Sequence, residues 1–251
     1  MADVVLLALT LAVALLALAA ILAARYGIGK EVALSGIRGI AQILILSSVI
    51  ILMFNLPVYL SIFIVLAMAT IAGYTTFTRS GRLNRMFQAS AASIAAASLA
   101  LLVPFFIVGI FPLEPRYLIP TGSILIGNAM NVSSLAIDRY RGELWNRRME
   151  VEAYLALGTS TRVASEHCLK QGILSALIPS IDNMKNLGLV WIPGVMTGML
   201  LGGADPVQAA SIQVSIFIAI FLAGMITSNL LLYYATSAFF TPALQLRDEA
   251  L

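Results

Sequence analysis

MADVVLLALTLAVALLALAAILAARYG, residues 1–27, decides the fold class. Residues 4–24 run 21 positions without a charge, and the first cations, Arg25 and Lys30, follow the run. At 1.5 Å per residue such a helix reaches about 31 Å, enough for a hydrocarbon core of about 30 Å. A cleaved secretory leader has the opposite order, cations first and then a shorter apolar stretch. Here Asp3 precedes the run. The segment is expected to be a retained first span with its N-terminus outside.

The rest of the chain asks for the same solvent. Of 251 residues, 60% are hydrophobic and only 11% charged, against about 25% charged in a soluble domain. The expected fold is therefore all-α: a polytopic integral membrane protein with a single membrane domain over 1–251. The net charge of +3 does not point to nucleic acid, because the cations follow the spans. Membrane lipid is the expected surrounding.

Further spans are expected at about 40–54, 58–77, 89–111 and 118–137, then somewhere within 172–203, then 207–240. The cations give an independent check. Arg25, Lys30 and Arg38 follow the first span, and Arg79, Arg82 and Arg85 the third. Arg139, Arg141, Arg147, Arg148, Arg162 and Lys170 follow the fifth, and Arg247 the seventh; Arg116 alone lies on the other side. That alternation predicts about seven spans in the plasma (inner) membrane, N-terminus out and C-terminus in.

Two pieces fit a plain bundle poorly. GIGKEVALSGIRG, 27–39, is mildly amphipathic and is expected at the cytoplasmic surface. Residues 172–203 would make a helix of about 48 Å and carry Pro179, the DNMKN run at 182–186 and Pro193. Mid-bilayer charges are costly. The cheaper arrangement keeps 172–186 at the cytoplasmic interface, with Asp182 and Lys185 paired or wet, and crosses with 187–203, kinked near Pro193.

The charge is densest where the chain leaves the membrane. The stretch 138–170 is about 33 residues long and holds 11 of the 27 formally charged side chains. Leu144, Val151, Tyr154 and Leu155 recur at helical spacing, with Arg147, Arg148, Glu150 and Glu152 elsewhere on the surface. Gly158 followed by Thr159, Ser160 and Thr161 reads as a helix stop and a new N-cap. A helix, a glycine turn and a second helix between two spans present a short helix to a soluble partner.

EAYLALG, 152–158, resembles the Glu-Ala-Ala-x-x-x-Gly loop of ABC transporter permeases, with Tyr154 at the third position. The importer pattern of Ile-x-Leu-Pro after the glycine is absent, the nearest proline being Pro179. A longer stretch, 156–213, is similar to the FetB-type permease family, most specifically in ALG, Pro179, DNMKNLGLV, PGVMTGMLLGGADP and Gln213. That family is tied to iron export in bacteria and has plant half-transporter relatives linked to aluminium tolerance. The resemblance implies an efflux permease with iron as its cargo. It implies a coupling helix at Arg147, Arg148, Glu152, Ala153 and Gly158 that docks on an ATP-binding subunit in trans. It also implies a second copy of the chain. ATP and Mg would belong to the partner subunit, and no cofactor is expected on this chain. The absence of G-x-x-x-x-G-K-[ST] agrees: GIGK at 27–30 is too short to cradle phosphate.

No catalytic residue is assigned. His167 and Cys168 form a single pair, read as a loop pair facing water or the partner, and no second pair completes a tetrahedral metal site. Cargo-path candidates are Asn128, Met130 and Asn131, Asp182, Met196 and Met199, and Gln213. Their competing role is structural, since amides bond between helices and methionines fill gaps. Gly194, Gly198 and Gly202 share a helix face and are candidates for close packing, in one subunit or against a second copy. ASAASIAAAS, 89–98, competes for that role. An ion-coupled secondary transporter would show intramembrane carboxylates and an internal repeat, and neither is clear. An ABC exporter of a non-metal small molecule stays open.

Overall fold

The computed structural model describes residues 2–83, 86–241 and 243–247, and these are almost wholly helical. Arg85, counted above among the cations after the third span, lies outside them. The chain divides into two units, Met1–Leu56 and Pro57–Leu251.

The first unit is an antiparallel hairpin of α1 (Ala2–Ala24) and α2 (Gly29–Phe54). Glycines let the two backbones meet: a Cβ on Gly29 would lie 2.7 Å from the Ala20 carbonyl oxygen, and Gly36 faces Leu16. The expected surface segment 27–39 is therefore not a separate piece. Its residues from Gly29 onward are the first turns of α2, because they close the hairpin against α1.

The second unit contains α3 (Val58–Arg79), α4 (Met86–Ile107), α5 (Pro115–Asn146), α6 (Arg148–Ala156), α7 (Thr161–Ala164), α8 (Glu166–Asn186), α9 (Gly194–Leu201) and α10 (Pro206–Ala235). Sequence chemistry starts several of them. Extended Pro57 precedes α3, and extended Glu114 precedes Pro115 at the start of α5. Asp205 caps α10 by accepting from the backbone N–H of Val207 at 2.9 Å and of Gln208 at 3.0 Å, with Pro206 at the first position, where no N–H is needed.

Among the described residues, Asp3–Ala24, Gly29–Phe54, Val58–Arg79, Met86–Ile107 and Pro206–Phe239 are long and apolar enough to cross a membrane. α5 is the longest helix of the second unit at 32 residues but falls outside that set. Thr121, Asn128, Asn131, Ser133 and Ser134 dilute its apolar residues. Such a helix has to be surrounded by protein, and α5 packs against α3, α4, α8 and α10. Its buried hydroxyls find partners there, as between Thr76 and Ser134 at 3.1 Å.

Lipid is as apolar as leucine, so close backbone packing holds such helices together. A Cβ on Gly73 would lie 2.6 Å from the Ala91 Cα, and one on Gly224 would lie 2.9 Å from a Val132 methyl. The small face at 89–98 is thus used inside this unit, where α4 meets α3. Neighbouring pairs also give the directions. Val65 with Gly122 and Thr76 with Ser134 set α3 parallel to α5. Asn128 with Ile220, and Val132 with Gly224, set α10 parallel to α5. Gly73 with Ala91, and Phe77 with Phe87, set α4 antiparallel to α3.

The crossing expected over 187–203 takes another form. α8 runs unbroken through 172–186 and packs on α5, where Gly172 lies against Tyr140 and Ala136. The chain then leaves helical geometry over 187–193. Gly188 has φ +74, its N–H donates to the Trp191 carbonyl at 3.1 Å, and Pro193 is extended. α9 has 8 residues, about 12 Å, too short to cross alone. α8, break and α9 together run antiparallel to α10: Leu177 and Met225 line one cavity, Trp191 meets Phe217 at 6.3 Å between ring centroids, and Met196 bonds Gln213. Thus 172–186 stands beside the middle of α10, and the discontinuity is centred on the Gly188 turn ahead of Pro193.

Candidate functional site

The stretch 138–170 is helical almost throughout. Leu144 belongs to α5, which runs on to Asn146, so it does not share a helix with Val151. Arg147 then redirects the chain into α6. Val151 is 1% exposed and anchors α6 in a core with Leu144, Tyr140, Cys168 and Phe239, while Leu155 is half-buried beside it. Tyr154, expected on that inner stripe, is exposed.

The charges on α6 pair locally. Arg147 reaches Glu143 at 3.4 Å and Glu150 at 3.0 Å, and Arg148 reaches Glu152 at 2.7 Å. Glu150 first and Glu143 second hold the Arg147 guanidinium above its usual value. All are partly exposed, so solvent screening leaves each pair weak and able to exchange for a partner's charges.

α6 ends as its sequence predicts. Gly158 has φ +83, a region that costs an ordinary L-residue about 1–2 kcal/mol. Its N–H donates to the Leu155 carbonyl at 2.9 Å, and that of Thr159 to the Tyr154 carbonyl at 3.2 Å. These are the paired bonds of a Schellman stop. The Ser160 hydroxyl then accepts from the Val163 N–H at 3.4 Å and starts α7.

Met149 and Leu157, missed in the sequence, are 86% and 82% exposed. With Ala153 they recur every fourth residue and line the outer face of α6, opposite Val151. That offset from the buried positions was the available signal. Glu152 and Ala153 lie exposed beside them. Arg162, on α7, stacks its guanidinium 4.5 Å from the Tyr233 ring and ties this end to α10.

Under this surface lies a buried core. His167 is exposed, but Cys168 is 1% exposed, so the expected loop pair is split: both sit in the first turn of α8 and only His167 faces out. Burial pushes the Cys168 thiol up to about 11, which makes it unreactive at neutral pH. Burial likewise pushes the Tyr140 phenol up to about 12, with the hydroxyls of Ser165 and Thr236 opposing the shift. The Tyr140 hydroxyl makes no hydrogen bond of good geometry among the described residues.

The cargo candidates are spread over four helices, α5, α8, α9 and α10. The Asn128 amide donates to the Ile220 carbonyl at 2.8 Å, and the Gln213 Oε1 accepts from the Met196 N–H at 3.1 Å. Both amides thus bond between elements. Met130 is half-buried in the α3–α5–α10 core, and Asn131 is exposed. Met199 lines a cavity of 450 Å³ with Gln208 and Tyr117. Asp182 pairs with Lys185 at 3.1 Å, and both are exposed. Among the described residues no group of three or more His, Cys, Asp or Glu could hold a metal. Gly194 and Gly198 are exposed, a Cβ on either would meet nothing within 4 Å, and one on Gly202 would meet only α9's own carbonyls. Among the described residues, nothing in the second unit packs on that glycine face.

Helices of this length and apolarity, one polar helix enclosed by the others and one broken helix define a multi-pass membrane protein. The model of UPF0014, an uncharacterised protein family, matches residues 4–240, and the chain belongs to that family. It is 37% identical over 183 residues to UPF0014 membrane protein STAR2 of Oryza sativa subsp. japonica, covering 73% of this chain and 64% of the rice protein. The chain therefore spans less than two thirds of that relative. It is 31% identical over 249 residues to UPF0014 membrane protein YjkA of Bacillus subtilis (strain 168), covering 98% and 99%. It is 26% identical over 218 residues to the probable iron export permease protein FetB of Escherichia coli (strain K12), covering 86% and 84%. No solved structure matches the chain.

Proposed function

We propose that this chain is the membrane permease of an ABC efflux transporter in the plasma membrane. It exports a metal ion, iron by analogy with the probable iron export permease FetB, on ATP hydrolysed with Mg by a separate ATP-binding subunit. The carrying observation is α6 with its Schellman stop. It is a short helix rooted by buried Val151 and presenting Met149, Glu152, Ala153 and Leu157 outward. An apolar stripe rimmed by exchangeable charges is what a soluble partner's cleft recognises.

The helix directions support seven crossings with N-terminus out and C-terminus in. α1 and α2 contribute two. The parallel set α3, α5 and α10 alternates with α4 and the α8–α9 pair, and the cation-rich ends fall together. The working unit contains a second copy of the chain, since two membrane halves are needed for two ATPases.

The test is ATP hydrolysis by the candidate ATP-binding subunit, with and without this chain in liposomes, titrated with Fe²⁺. Hydrolysis should require the chain, rise with iron and fall in Glu152→Arg. An undiminished Glu152→Arg would sink the coupling assignment. A second reading, an ion-coupled secondary transporter, is favoured by one observation: helices broken near mid-membrane carry the ion sites of such proteins. Ion transport without any ATP-binding subunit would select it.

A further inference from the structure

Phe217 lies near the middle of α10, and the break between α8 and α9 packs at its height through Trp191. There the chain is uncovered by the rest of the Pro57–Leu251 unit. Leu189 is 85% exposed, Val190 77% and Ile192 64%. The carbonyl oxygens of Leu187, Gly188, Leu189, Val190 and Ile192 accept no hydrogen bond among the described residues. One turn earlier on α8, the Asp182–Lys185 pair has side chains 55% and 69% exposed.

Lipid tolerates neither feature. Irregular backbone at membrane depth survives only inside protein or along a water-filled cavity, and intramembrane charges face bundle interiors or aqueous paths. Apolar neighbours cannot answer free carbonyls. The two observations are independent, one from backbone geometry and one from charge, and they fall on adjacent turns.

We infer that residues 182–192 line a water-filled pathway for a partly hydrated cation, closed on its far side by a second copy of this chain. The chemistry favours a cation. Free carbonyls are hard oxygen ligands of the kind that replace water around metal ions, and the C-terminal, negative end of α8 points into the break. The first turn of α9, whose positive end would oppose a cation, is answered by Gln213 through the Met196 N–H. The aqueous lining rests on the membrane placement and the second copy on the ABC reading, so the lining can fail while that reading stands, or the reverse.

The test is thiol labelling in sealed native membranes, in a Cys168→Ala background. The probe is a membrane-impermeant, cationic methanethiosulfonate, applied to Leu189→Cys, Val190→Cys and Ile71→Cys separately. Ile71 is the control: it lies at the same height on α3, by the Val65–Gly122 and Thr76–Ser134 pairs, and is 66% exposed. Leu189→Cys and Val190→Cys should react roughly tenfold faster or more than Ile71→Cys, because only a hydrated thiol forms thiolate readily. Oxidation should link two chains through Leu189→Cys and not through Ile71→Cys. If one break variant fails to insert, the other carries the comparison. Equal rates at all three positions would overturn the aqueous pathway. Fast labelling without cross-linked dimer would overturn the second copy as its far wall.

Discussion

Replacing Gly158 isolates the geometry of the α6 stop from its packing. A Cβ there would meet nothing within 4 Å, so Gly158→Ala adds no clash. Its whole effect comes from φ +83. Holding alanine in that region costs about 1–2 kcal/mol, and the chain can escape only by giving up the bonds from Gly158 to Leu155 and from Thr159 to Tyr154. Asparagine tolerates the left-handed region better, so Gly158→Asn should lie between glycine and alanine. At 1.4 kcal/mol per tenfold, the alanine penalty weakens docking of the ATP-binding subunit by about 5- to 30-fold if the bound state needs the stop intact. The assay is affinity of the purified subunit for the chain in nanodiscs, by light scattering or fluorescence, beside helix content of each variant. Affinities in the order glycine, asparagine, alanine, with unchanged helix content, are expected. Alanine binding as well as glycine would refute the idea that the positive-φ stop positions α6.

The remaining predictions address packing and ionisation. Tyr140→Phe removes a buried hydroxyl without a good partner and should change thermal stability by less than about 1 kcal/mol; a loss above about 2 kcal/mol would mean that Ser165 or Thr236 bonds it. Gln213→Leu strands the Met196 N–H and should lower the unfolding midpoint by an amount worth about 1–3 kcal/mol, with Gln213→Glu retaining part of the bond. Cys168, raised to about 11 by burial, should resist maleimide at pH 8 until the protein is denatured. An unfolded thiol ionises near 8.5, so the contribution of Cys168 to stability is intact below that pH and is lost as pH rises toward about 11. Denaturation midpoints of wild type and Cys168→Ala that fall in parallel across that window would contradict it.

The membrane character of the chain was readable at once, because an uncharged run of bilayer length leaves few alternatives. So was the glycine stop: Gly158 with Thr159 and Ser160 determines φ and capping within a few residues, and the structure shows both. The course of α8 was not readable. Asp182 and Lys185 argued for an interfacial 172–186, since a charge at membrane depth is costly when its neighbours are unknown. The structure keeps them beside the middle of α10, paired and exposed. Pro193 drew the expected kink toward itself. The helix in fact stops earlier, at Asn186, where Gly188 takes φ +74. The polar character of α5 was similarly ambiguous. Asn128 looks like a ligand in a linear sequence and becomes an interhelical bond once Ile220 is beside it. Met149 and Leu157 were overlooked for the opposite reason: apolar residues read as core unless the buried face of the same helix is already fixed by Val151. One connection ties these places together. α6 and α7 lead straight into α8, and α8 leads straight into the break. In the proposed transporter, a force applied at Glu152 and Leu157 would pass along α8, which is braced on α5, to the break between α8 and α9. A bundle of unbroken, closely packed helices has little to rearrange. A 21-residue helix joined to an 8-residue one through a glycine turn can tilt the short part while the long part stays fixed, which is the mechanical requirement for alternating exposure of the proposed path beside residues 182–192.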